Sequence, residues 1–430
     1  MAIRSATNCR TARRQPDFPT ATVAAPRLTA SATPAARPRL ARIDALRGLA
    51  VFGILFVNVW SHVWGFQSLR YGVLPPDATL ADMLALALTA LLAEQKFYPI
   101  FAFLFGASAV LITRAIRRRS GRWDEARLLY RRRLLWLLAC GVLHGTLIWF
   151  GDILTLYSLL GCVVLLGTIG VRARTLLLHL RLWLLAFFVL LGIGLWLSLQ
   201  PLSGEEQAAL ALAAVDGVEA SRQILTQGDW FAIAQLRLQD YLTMTAQSLL
   251  IVPQVAVLFL LGAWSVRRGW LTRPWRHRTL WRRTFWIGLA LGLPFNVAWA
   301  TMRLLEAIDP LHPWPSTYTL FAVLPLGGML LAASYVALFM LADGGPMRAV
   351  QGWLAPVGRM ALTNYLLQSL LCAVLLQGFG FGLGATLPPT GWMALAGAIV
   401  VAQSVWSRWW LAHHANGPIE GWQRRWLARG

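Results

Sequence analysis

The 430 residues are 57% hydrophobic and only 13% charged, with a mean hydropathy of +0.56, whereas soluble domains carry charge on roughly a quarter of their residues. So little polar side chain cannot cover a water-facing surface, which excludes a soluble globular protein. The net charge of +21 does not point to nucleic acid either, because the arginines sit in short loops and tails between apolar runs, the distribution that sets membrane topology.

Residues 1–40 are rich in Ala, Thr, Pro and Arg and hold no apolar stretch long enough for the core of a signal peptide. They read as a disordered cytoplasmic tail, or as the product of an upstream start codon. Ten apolar runs follow: Leu49–Gly65, Phe97–Ile116, Leu134–Phe150, Ile153–Gly170, Leu176–Leu199, Ser248–Val266, Thr284–Met302, Tyr318–Leu341, Leu354–Leu375 and Trp392–Leu411. Each approaches the roughly 20 residues that cross about 30 Å of hydrocarbon. Leu80–Ala93, about 14 residues long, is too short for a comfortable crossing.

Charge decides the path of the chain. Arg117–Arg133, Val171–Leu177 and Arg267–Arg283 are strongly basic and are expected on the cytoplasmic side. With the basic N-terminus also inside, an even number of crossings must precede Arg117, so Leu80–Ala93 becomes a re-entrant or interfacial helix on the outer side. The expected fold is an all-α polytopic transmembrane bundle of about ten spans with both ends cytoplasmic. Residues 41–200 form one transmembrane half, 201–247 an extracytoplasmic helical segment, 248–415 the second half and 416–430 a basic cytoplasmic tail. Internal repeats are not evident.

Ionisable side chains within a span cost roughly 2.5–3.5 kcal/mol on insertion scales, so they usually face the bundle interior or a wet cavity. In RIDALRGLAVFGILFVNVWSH, Asn58, Ser61 and His62 share one helical face. That face would line a cavity, with Asp44 and Arg47 at its cytoplasmic mouth and Arg47 able to meet phosphate. The competing reading makes Asp44 a helix cap and Arg47 a headgroup anchor. In GVLHGTLIWFGDILTLY, His144 lies about 9 Å from the outer end of its run at ~1.5 Å per residue, and Asp152 stands in the tight turn that follows. His144 is a candidate general base whose tautomer Asp152 orients. The alternatives are an interhelical hydrogen bond for the histidine and a helix cap for the aspartate. In APVGRMALTNYLLQS, Arg359 precedes Asn364 and Gln368 at helical spacing. This amide face could bind an anionic or pantetheine-like ligand, although helix-to-helix glue is the reading that spacing favours. Glu420, beside the arginines of the C-terminal tail, reads as half of a structural ion pair. P-loop, GxSxG, HExxH and CxxC motifs are absent, and no metal-ligand spacing occurs.

The segments RIDALRGLAVFGILFVN, KFYPIFAFLFGAS, LHGTLIWFGDILTLY, GRMALTNYLLQS and GPIE, taken in this order, resemble the YeiB-like family of bacterial membrane proteins, a domain of unknown function, over roughly residues 42–425. That family looks related to transmembrane acyltransferases such as heparan-glucosaminide N-acetyltransferase. The resemblance implies a multi-pass protein of the bacterial inner membrane, acyl-CoA (acetyl-CoA) as a co-substrate with no permanently bound cofactor, and an acceptor on the far face such as a cell-envelope glycan. Its expected partners are the lipid bilayer, that donor and acceptor, and a second copy in a homo-oligomer, with no nucleic acid. Surface-polysaccharide acyltransferases place a catalytic His eleven residues after an LRG arginine; counting from Arg47, this chain has Asn58 there. The expected catalytic set is therefore His144 with Asp152, and His62 as an alternative base. Arg47, Asp44, Asn58, Arg359, Asn364 and Gln368 are expected to hold the donor. A transporter that uses the same polar spans is the second reading, with Pro253, Pro294 and Pro325 as span breakers. An envelope scaffold contacting its partners through Gln200–Gln247 is the third.

Overall fold

The computed structural model describes residues 38–428 except 70, 72, 312–314 and 343, and of residues 38–40 and 315–317 the backbone alone. The expectation for the N-terminal tail falls outside the described residues. Everything described belongs to one compact unit. Among the described residues the regular structure is entirely helical, as composition demanded.

The first apolar run is helix α1 (Pro38–Trp64). A short helix α2 (Leu80–Leu92) starts at a capping box, in which the Thr79 hydroxyl accepts from the Asp82 amide and the Asp82 carboxylate from Thr79. Next come α3 (Phe97–Ser120) and α4 (Trp123–Leu147), the latter beginning inside the basic loop with Asp124 and Glu125 in its first turn, where the helix dipole favours them. The fourth run forms α5 (Leu154–Leu160), one π turn (Gly161–Leu165) and α6 (Leu166–Thr168). Helix α7 (Ala173–Ser198) carries leucine on nearly every face and is mostly exposed, which suits a lipid-facing position at the rim.

Helices α8 (Gly204–Gln227) and α9 (Trp230–Gln247) occupy the expected outer segment, capped at their starts by Ser203 and Asp229. Only α8 stands apart, since α9 runs on through a 3-10 turn into α10 (Val252–Arg267), making Trp230–Arg267 a single apolar element of 38 residues. The segment boundary expected at 247 thus lies inside one continuous helical element. Helices α11 (Arg278–Ile308) and α12 (Pro315–Leu341) pair along their lengths, with Pro294 and Pro325 inside them. The ninth run is broken: α13 (Gly345–Arg359) and α14 (Ala361–Leu376) meet at 81° around Met360. A short α15 (Leu383–Thr386), α16 (Pro389–His413) and an amphipathic α17 (Pro418–Ala428) complete the chain.

All ten apolar runs fall on helices. Seven helical elements are long and apolar enough to cross a bilayer, eight if the bent α13–α14 pair is one span. Two expected spans miss those limits. Helix α4 has arginines in its first half, and the stretch from Leu154 to Thr168 is short. The short run expected as a re-entrant or interfacial helix is a distinct helix, α2; residues 93–96 form a turn, with Gln95 at φ 62°, between it and α3, and the two follow one another within the 41-residue stretch Leu80–Ser120. Glu94 and Lys96 are satisfied internally at that junction. Lys96 is fully buried and its Nζ donates to the Ala90 carbonyl at 2.6 Å, while Glu94 accepts from Trp299 Nε1 at 2.7 Å and pairs with Arg303 at 3.3 Å.

Helix α1 forms the centre and packs on α3, α13 and α14. Its approach to α13 is so close that a Cβ at Gly48 would strike the Leu354 carbonyl, and one at Gly358 the Asp44 carbonyl. That crossing sets Asp44 and Arg47 of α1 beside Arg359 of α13.

Candidate functional site

Two of the polar groups in the apolar interior hold the residues singled out in the sequence, and a cavity extends from one of them toward the other. The deeper group is built at the α4–α5 turn. Gly141 and Gly145 lie on one face of α4; a Cβ at the first would strike the Asp152 carboxylate and Thr155, and one at the second the ring of Tyr241. With both side chains missing, the turn and α9 close against α4 around His144. There His144 Nδ1 lies 3.0 Å from Asp152 Oδ1, both side chains buried. Asp152 Oδ2 accepts from the Thr155 amide at 2.7 Å and its hydroxyl at 2.8 Å. One carboxylate oxygen therefore caps α5 while the other holds the imidazole, and the two sequence readings of Asp152 are both realised. A carboxylate can only accept, so against an ionised Asp152 a neutral His144 ring donates from Nδ1 and keeps its lone pair on Nε2. Nε2 is buried without a protein partner.

His62 joins the same cluster from α1. It is buried with neither ring nitrogen partnered and stacks on Trp149, ring centroids 5.4 Å apart, while His144 also meets the Trp149 ring, at 6.3 Å. A buried unpaired polar atom costs about 1–3 kcal/mol, so three such imidazole nitrogens around one indole form a set that packing alone does not explain. Arg237 of α9 fastens the cluster, donating to the Leu147 carbonyl and, at 3.0 Å, to Gln377 Oε1; Gln377 in turn donates to the His62 carbonyl at 3.4 Å. The Tyr241 hydroxyl meets Thr155 Oγ1 at 3.1 Å.

The second group opens at the basic end of the bundle. Arg47 donates to Asp44 at 2.6 Å and to Ser108 Oγ at 2.6 Å, bracing α1 on α3. Arg359 donates to the Ala415 carbonyl at 3.3 Å. Arg133 of α4 donates to Gln423 of α17 at 2.8 Å and lies within electrostatic range of Arg47, Arg424 and Glu420. Glu420 is not the ion-pair partner the sequence suggested: its Oε1 accepts from the Leu362 and Thr363 amides at 2.9 and 3.1 Å, capping α14 where the 81° break exposes its first N–H groups. All four arginines, with Asp44 and Glu420, line a cavity of about 400 Å³ whose apolar walls come from α1, α3 and α4. It reaches Ile153, Leu154 and Tyr365. The Tyr365 ring packs against His144 with centroids 5.0 Å apart, and its hydroxyl accepts from the Ile153 amide at 3.4 Å. Tyr365 is thus the partition between the arginine-lined cavity and the His144–Asp152 pair.

Of the residues singled out in the sequence, His144, Asp152 and His62 come together, and Asp44, Arg47 and Arg359 line the cavity. The amides do not join them. Asn364 donates to the Val357 carbonyl and Ser407 Oγ, and Gln368 to the Val51 carbonyl, so their amide groups tie helices together. Asn58 is buried one turn below His62 and is not among the cavity-lining residues. Sequence reading missed Tyr365, Trp149, Arg133, Arg424, Arg237 and Gln377. Arg237, a charge among apolar neighbours in a segment read as outer, gave the one signal that could have been followed.

Residues 265–430 match the family described as protein of unknown function DUF418. The uncharacterized protein YxaH of Bacillus subtilis is 30% identical over 401 residues, covering 89% of this chain and 92% of that protein. The uncharacterized protein YeiB of Escherichia coli is 28% identical over 389 residues, covering 88% and 93%. An uncharacterized 39.9 kDa protein encoded beside an amylase in Bacillus acidopullulyticus is 32% identical over 127 residues, 30% of this chain and 33% of that protein. No solved structure matches the chain.

Proposed function

The chain belongs to the DUF418 family of multi-pass membrane proteins, and from that premise we propose that it is an acyltransferase of the bacterial inner membrane, moving an acyl group from cytosolic acyl-CoA to an extracytoplasmic acceptor such as an envelope glycan. The proposal includes ten crossings with both ends in the cytoplasm. The observation that carries it is the cavity of about 400 Å³ with four arginines at one end and, across the Tyr365 ring, a buried histidine with a free Nε2 at the other. Guanidinium forks suit the phosphates of a nucleotide thioester, and the apolar walls suit its pantetheine arm.

In this reading Arg47, Arg133, Arg359 and Arg424 hold the donor's phosphates. The thioester extends to Tyr365, and His144 Nε2 takes the proton of an acceptor hydroxyl or amine as that atom attacks the thioester carbonyl. The C–S bond breaks, the thiolate leaves, and the proton returns to it as free CoA thiol. Asp152 keeps the imidazole in the productive tautomer and stabilises the imidazolium. His62, on the far face of Trp149, is the alternative base. Asn364 and Gln368, committed to helix contacts, drop out of the donor site.

Purified protein reconstituted with radiolabelled acetyl-CoA and cell-envelope glycan tests this. Label transfer that His144→Ala reduces by about 10²–10⁴-fold, the range of general-base contributions, is expected. Transfer undiminished in His144→Ala, or no transfer to any envelope acceptor, overturns it. The 81° break between α13 and α14 favours a transporter as the second reading, because broken helices form substrate sites in that class. Substrate uptake by proteoliposomes that is indifferent to acyl-CoA would reverse the order.

A further inference from the structure

A second basic cavity, unconnected with the proposed acyl transfer, lies where α3 leaves the apolar region. It has a volume of about 410 Å³, and its lining includes Arg114, Arg117, Arg118 and Arg267 but no carboxylate. One of the four is already engaged. Arg267 donates to the Thr168 and Val171 carbonyls at 2.7 and 2.8 Å, and with Arg127, which donates to the Ile169 carbonyl at 2.8 Å, it satisfies the backbone where α6 ends. Arg117 lies over the Trp123 ring at 4.4 Å, a contact that leaves its N–H groups to hydrogen-bond elsewhere. Arg114 and Arg118, one turn apart on α3, have no hydrogen-bond acceptor and no carboxylate partner among the described residues. Arg114 is half-buried and Arg118 acts on it electrostatically. Like charges at i, i+4 destabilise a helix, and an anion held between them would reverse the sign of that contact.

The surroundings narrow the anion. Beyond the guanidinium groups the wall is formed by Ala109, Val110, Leu165, Ile169 and Val171 with Thr113 and Thr168, whose hydroxyls donate to carbonyls of their own helical turns, and an indole stands in the lining, as tryptophans do at headgroup depth. A free phosphate would gain nothing from that wall, whereas a phospholipid presents its phosphate and its chains together. We propose that this cavity binds the phosphate of an anionic inner-leaflet lipid through Arg114, Arg117 and Arg118, with Arg267 as a fixed charge behind them.

The test uses the full chain in nanodiscs of phosphatidylcholine, titrated with phosphatidylglycerol or with inorganic phosphate. Three readouts are compared: the melting midpoint, lipid retained in native mass spectrometry, and both for the variant Arg114→Gln/Arg118→Gln. The control variant Arg282→Gln/Arg283→Gln removes two exposed charges outside the cavity. Phosphatidylglycerol is expected to raise the midpoint of the wild type and of the control. The double variant should need at least about tenfold more lipid for the same rise, given about fivefold per basic residue near an anionic surface. An unchanged midpoint in phosphatidylcholine alone certifies that the variant folds, and the exposed single change Arg118→Gln carries about fivefold if the double one does not. The proposal falls if the wild type does not respond, or if the control weakens as much as the cavity variant, which would mean a diffuse charge effect. An equal response to inorganic phosphate assigns the cavity to a soluble phosphate and overturns the lipid.

Discussion

Replacing Asp152 by asparagine changes one oxygen to an amide nitrogen at almost constant volume, in a place where each carboxylate oxygen has a separate task. Oδ2 accepts twice from Thr155, and the amide oxygen of the variant can take over both bonds, so α5 stays capped. The amide nitrogen then faces His144 Nδ1 across 3.0 Å. Two donors cannot share that bond, so the proton moves from Nδ1 to Nε2 and the lone pair is lost where the proposed base needs it. Hydrogen bonds to charged groups contribute about 1.5–3 kcal/mol and neutral ones about 0.5–1.5. Turning three charge-assisted bonds neutral should therefore cost about 2–4 kcal/mol at most, because the bonds are remade and not lost. Asp152→Ala additionally strands buried donors on Thr155 and His144, adding about 1–3 kcal/mol for each. The expected result is a ladder in thermal stability, wild type above Asp152→Asn above Asp152→Ala. Acyl transfer should fall by up to about 10⁴-fold already in Asp152→Asn, as the wrong tautomer does in a Ser-His-Asp triad. Nitrogen-15 chemical shifts of the His144 ring report the tautomer directly. If Asp152→Asn keeps full transfer activity, or keeps the proton on Nδ1, the reasoning fails whatever the stability.

Glu420→Ala should destabilise the protein by about 1–3 kcal/mol by uncovering the Leu362 and Thr363 amides at the α13–α14 break, and Glu420→Gln by less, which thermal melts of the three proteins would rank. Gly358→Val sets a branched side chain against the Asp44 carbonyl and should separate α1 from α13; lower melting together with weaker acyl-CoA binding is expected, and wild-type values for both would refute the packing argument. In α8, the hydrogen bond from Arg222 holds the Glu219 carboxyl below its ordinary value of 4.5. Its stabilisation is therefore present above pH 4.5 and is lost as the pH falls through the lower folded value. Stability of the Glu219→Gln variant should accordingly change less than that of the wild type between pH 5 and pH 3.

Much of this molecule was written locally in the chain. Runs of about 20 apolar residues force helices because backbone groups in hydrocarbon must be satisfied within their own segment, and each of the ten runs is helical. His144 and Asp152 were legible together because they are eight residues apart across one tight turn, so short-range geometry alone limits their separation. Spacing also showed correctly that Asn364 and Gln368 share a face, but it could not say what that face meets; α1 and α16 took up their amides. Arg133, Tyr365 and Arg424 come from three helices spread over nearly 300 residues of chain, and no local rule joins them at one cavity. The same limit applies to Glu94, between α2 and α3: only the tertiary structure supplied Trp299 and Arg303 as its partners, whereas Lys96 found the Ala90 carbonyl six residues away. Composition and period determine that a segment is a helix in a membrane; which polar group is affordable inside it depends on the partner that a distant part of the chain brings there.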